Sequence, residues 1–424
     1  MSGYMDRFIA DARRRETLVV QPRMGFGNIA TMRAGLRDVH DLDFPVVGTI
    51  TVDSYTRVGD HVSSIERLRA GEELNGYPIV SHPMEKTREM LAGLYGPGFP
   101  IQVRHGTALP LRVIESLVLA GLDTTEGGPV SYCMPYSRLP LEYAVSAWAE
   151  SCRYLVGEVE HGHIESFGGC LLGQLCPPSL LIAMTVLEGL FFAQHGVRSM
   201  SLSYAQGTHD DQDRAAVRVL RALAQEYLPS VTWHVVLYTY MGLFPSTPDG
   251  ATELIRSSAR LARDTSCERL IVKTVSEAWQ IPSVAENLDA LRVASAAAGG
   301  PRVAAVPQEK EYFDEIMEEA RCLIEEVLNL DADVGAALTR AFALGLLDIP
   351  FCLHADNQNR TTCVLDDQGA LKWGDIGNLP FRGSVRQNAM GQLESSELYR
   401  MLNHVAHRYD HGQPNREKGD DGKS

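Results

Sequence analysis

Residues 100–106 read PIQVRHG, a short apolar, β-branched run that stops on an arginine, a histidine and a glycine. The run has the composition of a buried strand. Such a strand has no use for a fixed positive charge unless its end opens onto something polar. The same punctuation recurs along the chain. LVVQPR (18–23) ends on Arg23 ahead of Gly25, VVGTITVDS (46–54) leads to Arg57, and LDTTEGG (122–128) holds Glu126 beside Gly127. SMSLSYA (199–205) carries Tyr204 ahead of Gly207, TWHVVLYTY (232–240) runs into Met241 and Gly242, and RLIVKT (269–274) holds Lys273. PIVS (78–81) and HIESFGG (163–169) bring the strand candidates to nine.

Between these runs lie helical patterns with apolar residues recurring at three and four, such as PSLLIAMTVLEGLFFAQHG (178–196) and QDRAAVRVLRALAQEYL (212–228). The first has a proline entry and a glycine exit, the usual start and stop signals. Alternating strands and helices predict a parallel α/β fold. An open doubly wound sheet fits the alternation as well. The charged strand ends favour a (β/α)₈ TIM barrel, in which all strand C-termini open onto one face. A barrel has eight places, so one of the nine candidates is expected to be a loop or an N-terminal extra.

The barrel is expected over 1–330. The helix-to-strand run ALTRAFALGLLDIPF (337–351) and a hairpin in TTCVLDDQGALKWGDIG (361–377), turning at 366–369, predict a small C-terminal α+β extension over 331–412. Its DIPF and GNLPF segments read as packing. The polar tail, 413–424, is expected to be disordered. No internal repeat is evident.

The chain has 424 residues, 45% apolar and 22% charged, with a formal net charge of −15. That charge argues against nucleic acid as a partner, since phosphate binding needs a cationic face, but it leaves room for a local cationic pocket. No apolar run approaches the roughly 20 residues that span a bilayer, and MSGYMDRFIADARRRE lacks the apolar core of a signal peptide, so a cytoplasmic location is expected. The eight cysteines are scattered, without a C-x-x-C pair, and read as reduced core residues.

Arg23, Arg57 and Arg104 could meet in one pocket of a barrel. One arginine there is usually a structural ion pair. Three together call for several negative charges, and guanidinium grips carboxylate bidentately, so a dicarboxylate or phosphate ligand is the natural inference. Glu126, with Tyr132 and Tyr136 following in SYCMPY, either neutralises the arginines or receives the ammonium of an amino dicarboxylate. Lys273 and Glu277 stand at i and i+4, on one face if the strand turns directly into a helix, and Glu277 is expected to keep the lysine charged. Such a pair suits a polar cofactor group such as a ribose better than an imine.

Gly25-Phe-Gly27-Asn-Ile-Ala30 matches the dinucleotide pattern G-x-G-x-x-A, but Gln21-Pro22-Arg23 interrupts the strand where the tight turn belongs. A glycine-eased loop is the simpler reading. His161 and His163 form an H-x-H without a third ligand at recognisable spacing, so no metal site is assigned. His105 reads as a hydrogen-bond donor to substrate.

Eight ordered motifs, VQPRMG, TVDSYTR, NGYPIV, QVRHGT, TTEGGPVSYCMPY, GGCLLGQLCPPS, YMGLFP and IVKTVSEAWQIP, together resemble the large (epsilon) subunit of glutamate mutase, also called methylaspartate mutase. The likeness runs from about residue 17 to 385. It implies a (β/α)₈ barrel that interconverts L-glutamate and (2S,3S)-3-methylaspartate by a radical carbon-skeleton rearrangement. The implied cofactor is adenosylcobalamin, shared with a separate small (sigma) subunit marked by D-x-H-x-x-G. The nearest string here, Asp38-Val-His40-Asp-Leu-Asp43, ends in Asp, so a partner is expected, in a heterotetramer of two large and two small subunits.

Carried over residue by residue, the resemblance implies that Arg23, Arg57, Arg104, His105, Glu126, Tyr132 and Tyr136 bind substrate, with Glu126 and Arg57 in the catalytic role. Gly25, Thr51, Asn75, Pro135, Phe167, Met241, Phe244, Lys273, Glu277 and Ile281 would line the cofactor side. The chain starts only 22 residues before Arg23, so contacts made by a longer N-terminal arm in family members are expected to differ. Two other readings remain open at this point: a related mutase acting on a different amino dicarboxylate, and a barrel that binds glutamate without turnover.

Overall fold

The computed structural model describes residues 3–172, 175–303, 306–381 and 395–411. Eight strands carry the architecture: β1 Val19–Pro22, β2 Gly48–Thr51, β3 Ile101–Arg104, β4 Thr124–Gly127, β5 His163–Ser166, β6 Ser199–Ala205, β7 Thr232–Tyr238 and β8 Arg269–Val272. All pair in parallel, in the order β1-β8-β7-β6-β5-β4-β3-β2. The ends meet through a parallel bridge between Val20 and Val46, where Val47 N donates to the Val20 carbonyl at 3.1 Å. The sheet is thereby closed into a (β/α)₈ barrel, as the strand endings predicted.

PIVS (78–81) is the ninth candidate that does not become a strand. It forms a turn in which Ser81 N bonds back to Pro78 O. Pro78 fixes its own φ and offers no donor to a ladder. In the predicted helix-to-strand run 337–351, the helix forms as Val334–Leu344 and stops where Gly345 leaves helical space at φ +74°, while the expected strand-like end forms turns. The predicted hairpin forms from β9 Thr361–Leu365 and β10 Leu371–Ile376, turning through Gly369 at φ +87°. Gln212 ties it to the barrel, accepting from Leu371 N at 2.9 Å and donating to Leu371 O at 2.8 Å. The main apolar cluster extends to Val405, so Phe342, Ile349 and Trp373 share the barrel's core. Cys363, Leu365, Leu371 and Met401 instead form a small separate cluster with Leu175. The tail expected to be disordered, 413–424, lies outside the described residues.

At the opposite end from the charged strand termini, the helix Tyr4–Arg14 packs Met5, Ile9 and Ala12 against Val19 and Val47. Seven of the eight cysteines are buried, and among the described residues no disulfide links them. Among the described residues no helix is long and apolar enough to cross a membrane.

The barrel interior is polar. Arg269 on β8 reaches Glu165 on β5, and the strands are not neighbours in the sheet, so the ion pair crosses the inside of the barrel. Both side chains are fully buried. Around them Gln21 bonds Thr49 at 2.9 Å and Gln102 at 2.7 Å, Arg269 bonds Ser201 at 2.8 Å, and Gln102 bonds Glu165 at 3.1 Å. Each of these side chains stands between strand residues that face the helices, the period of two expected of a strand. In IQVR, Ile101 and Val103 pack outward and Gln102 and Arg104 inward.

A buried ion pair is costly to break and often neutral to replace. Arg269→Met, which strands the Glu165 carboxylate, should lower unfolding free energy in urea by about 3–5 kcal/mol. The double change Glu165→Met with Arg269→Met should cost clearly less than the sum of the single changes. Additive losses would show that the two side chains do not act as a pair.

Candidate active site

The loops after the strands bring the sequence-predicted residues to one end of the barrel. Arg104 ends β3 and Glu126 sits in β4; they form a buried ion pair at 2.7 Å through Arg104 Nε and Glu126 Oε2. Burial opposes the Arg104 cation, but Glu126 and the neighbouring phenols more than offset it and raise its pKa. Tyr132 donates its hydroxyl to Glu126 Oε1. The neutralising role considered for Glu126 is thus real for Arg104, and the carboxylate is also fixed on its other oxygen.

Tyr238, which the sequence did not single out, completes this cluster. Its hydroxyl lies 2.9 Å from Glu126 Oε2 and also bonds Glu165 Oε1, while the Arg104 guanidinium stands 5.3 Å from its ring centroid. Burial, with the two carboxylates adding to it against Arg104, keeps the Tyr238 phenol protonated, its pKa raised. A single hydroxyl proton therefore serves two carboxylates, joining the site to the ion pair in the barrel interior.

Arg57 lies on the short helix Ser54–Val58, which is held by Asp53 and by Asn75 Oδ1 accepting from Ser54 N at 3.0 Å. The side chain is exposed and, among the described residues, forms no ion pair. It crosses directly over Gly106, where an added Cβ would come 3.1 Å from Arg57 Nε and would be strained at φ +66°. Tyr136 is 49% exposed at the rim. Desolvation still raises its phenol, and the fields of Arg23 and Arg57 oppose the rise.

His105 is fully buried, packed against Tyr132 at 5.2 Å and Trp148 at 5.7 Å between ring centroids. Desolvation, then the charge of Arg57, depresses its pKa to about 3, so the ring is neutral. Its Nδ1 accepts from Thr107 N at 3.2 Å, which leaves the proton on Nε2. Phe167, expected on the cofactor side, packs against Tyr132 and Tyr238 in the floor of the cluster.

Arg23 has a partner that the sequence did not single out for it. It pairs with Glu277 at 2.9 Å, and the same carboxylate oxygen lies 3.7 Å from Lys273 Nζ. Residues 275–278 form a 3₁₀ turn in place of the expected helix, yet the pair still meets. Burial outweighs Glu277 and lowers the Lys273 pKa to about 8. The ammonium stays mostly protonated at neutral pH, by a smaller margin than Glu277 alone suggested. Phe244 lies 4.8 Å beneath Lys273 Nζ, with Met241 in the same loop, and Ile281 and Trp279 project at 64% and 72% exposure. Gly25 lets the chain pass so close to β2 that a Cβ there would fall 2.2 Å from the Thr51 carbonyl, and Thr51 Oγ1 is buried without a hydrogen-bond partner among the described residues. Pro135 lines a neighbouring cavity of about 600 Å³ under residues 351–355.

These groups fit a large cofactor with a hydroxyl-bearing sugar. Lys273 and Glu277 offer a donor and an acceptor, Thr51 an unused hydroxyl, and the rim apolar surface. The dinucleotide pattern at 25–30 serves another purpose: its glycines admit the neighbouring backbone, and Asn28 caps the helix Ile29–His40. His163 bonds Ser199 and Ser201 inside the barrel, away from His161. His40 ends the helix that leads back to β2, packs on Phe99 at 5.1 Å and bonds Asp41, which removes it from the charged mouth.

The sequence matches the model of the methylaspartate mutase E chain (MutE) over residues 1–399. It is 31% identical over 398 residues to the glutamate mutase epsilon subunit of Desulfitobacterium hafniense, covering 89% of this chain and 81% of that one. The epsilon subunit of Halobacterium salinarum is 33% identical over 393 residues, covering 87% and 80%. That of Yersinia enterocolitica is 32% identical over 354 residues, covering 79% and 73%. The barrel, its charged mouth and these matches agree: the chain belongs to the methylaspartate mutase E chain family, a family of isomerases.

Proposed function

We propose that the chain is the large catalytic subunit of a glutamate mutase, interconverting L-glutamate and (2S,3S)-3-methylaspartate together with a cobalamin-binding small subunit. The observation that carries this reading is the charge pattern at one barrel end. Arg23, Arg57, Arg104 and Lys273 stand against Glu126 and Glu277, an excess of two positive charges in a protein of net charge −15. An amino dicarboxylate complements that pattern. Its carboxylates answer Arg57 and Arg104, and its ammonium answers Glu126, already held between Arg104, Tyr132 and Tyr238.

Adenosylcobalamin, when bound, supplies the radical chemistry through its weak cobalt–carbon bond. The residues of this chain have three tasks. Lys273 and Glu277 hold sugar hydroxyls at the rim. The arginines and Glu126 fix both ends of the substrate so that its reacting carbon stays in place, a proximity effect. The aromatic floor of Tyr132, Phe167 and Tyr238 excludes water from a reactive site. The rim loops expose Val58, Val62, Leu109, Tyr136, Leu139, Leu243, Trp279 and Ile281, apolar surface at the end where a second subunit would cover the site. The D-x-H-x-x-G small subunit is that partner, in a heterotetramer of two large and two small chains, in the cytoplasm.

Mixing the purified chain with a D-x-H-x-x-G small subunit and adenosylcobalamin should convert L-glutamate to 3-methylaspartate. No turnover with a partner that is active beside another large subunit would refute the reading, and turnover of a different amino dicarboxylate would favour a related mutase.

Arg57 is the cleanest probe of substrate recognition, because it is exposed and forms no ion pair among the described residues. Arg57→Lys keeps the charge and loses the bidentate fork. It should lower kcat/KM for glutamate by about 10- to 100-fold while leaving the thermal midpoint almost unchanged. Equal losses of activity and stability would return Arg57 to a structural role.

Lys273 gives a pH test. Its folded pKa is depressed, so the charge it offers the cofactor is present below about 8 and lost above it. Affinity for adenosylcobalamin should therefore weaken as pH rises from 7 to 9, and Lys273→Arg should flatten that dependence. Stability moves the other way: the unfolded chain binds the extra proton between about 8 and the ordinary lysine value, so this group's contribution to stability rises across that window. An unchanged pH profile in Lys273→Arg would remove Lys273 from cofactor binding.

A further inference from the structure

The helix Pro178–Gln194 is buried along nearly its whole length and contains one ionisable residue, Glu188. A lone carboxylate at such a place is costly unless its oxygens are fully used. They are. Oε1 accepts from Val130 N at 3.1 Å and Ser131 N at 2.9 Å, and Oε2 from Ser131 Oγ at 3.0 Å and Ser166 Oγ at 3.1 Å. No cation is among these partners. Gly128 is shaped to the same carboxylate, since a Cβ there would fall 2.1 Å from it.

The loop that receives these bonds is the one that carries Tyr132 and Tyr136. After Gly128 the chain coils, with Tyr132 N bonding Gly128 O and Met134 N bonding Val130 O. The leading N–H groups of such a coil have no partner within it. Glu188 supplies the acceptor for two of them and grips Ser131, the residue before Tyr132. We infer that Glu188 is a positioning residue for the reaction, acting through Val130 and Ser131 to set the Tyr132 hydroxyl on Glu126. This rests on the proposed reading of Glu126 as the group that receives the substrate ammonium. Burial lifts the Glu188 pKa to about 7, opposed by the four hydrogen bonds. A protonated carboxyl could still accept from both amides and donate to one serine, so the grip survives either state.

The inference separates two substitutions of similar size. In Glu188→Gln the amide oxygen can keep both backbone bonds while its NH₂ turns toward the serine hydroxyls. Activity should stay within about 3-fold of the parent. Glu188→Met offers no acceptor, and kcat/KM for glutamate should fall about 10-fold or more, with affinity for adenosylcobalamin unchanged. The loss should not add to that of Tyr132→Phe, since both act through one hydroxyl. The crystal structure of Glu188→Met reads the geometry without any cofactor: the Tyr132 hydroxyl should leave hydrogen-bonding reach of Glu126. If Glu188→Met does not fold, Ser131→Ala takes its place in the same cycle and the same structure. A Tyr132 that stays on Glu126, or losses that simply add, would overturn the inference, whereas absence of turnover by the unaltered chain would instead overturn the proposed function.

Discussion

The fixed point of this molecule is the Arg269–Glu165 ion pair inside the barrel. Eight short parallel strands enclose a space that most α/β barrels fill with branched apolar side chains. Here a guanidinium and a carboxylate cross it, with Gln21, Gln102 and Ser201 satisfying the bonds left over. The arrangement is justified by what stands on it. Tyr238 bonds Glu165 from above and Glu126 with the same hydroxyl, and Glu126 meets Arg104 and Tyr132. The polar interior and the charged mouth form one hydrogen-bonded stack, so the orientation of the site is set by side chains that never face solvent.

The mouth divides into two zones. Arg104, Glu126, Tyr132 and Tyr238 form a buried floor, while Arg57 and Tyr136 stand at its edge. Beside them Arg23, Lys273 and Glu277 form a second, more open group. Arg23, expected with the substrate, pairs with Glu277, and its charge also reaches the Tyr136 phenol at the edge of the first zone. A substrate carboxylate can reach Arg23 only by sharing it with Glu277.

Much of this was legible in the residues. The strand endings were readable because a charge closing a β-branched run must meet water or an opposite charge, and several such runs in one α/β chain find both at a shared barrel end. PIVS misled because β-branched composition cannot distinguish a strand from a turn fixed by Pro78. The polar interior was visible in principle, since IQVR and SMSLSY alternate apolar and polar residues, but the partners of Gln102 and Arg269 lie on strands far away in sequence. Nothing local announces that Arg269 meets Glu165, 104 positions away, or that Arg23 meets Glu277, 254 away. Tyr238 was hidden in an apolar run for the same reason.

If the charges at the barrel mouth are arranged for an amino dicarboxylate, a crystal structure of the chain with its partner subunit and L-glutamate should show it. One substrate carboxylate should lie within about 3 Å of the Arg57 guanidinium, the other on Arg104, and the ammonium on Glu126. Glutamate bound elsewhere, or lying in the mouth with its ammonium turned away from Glu126, would show that these charges serve another ligand.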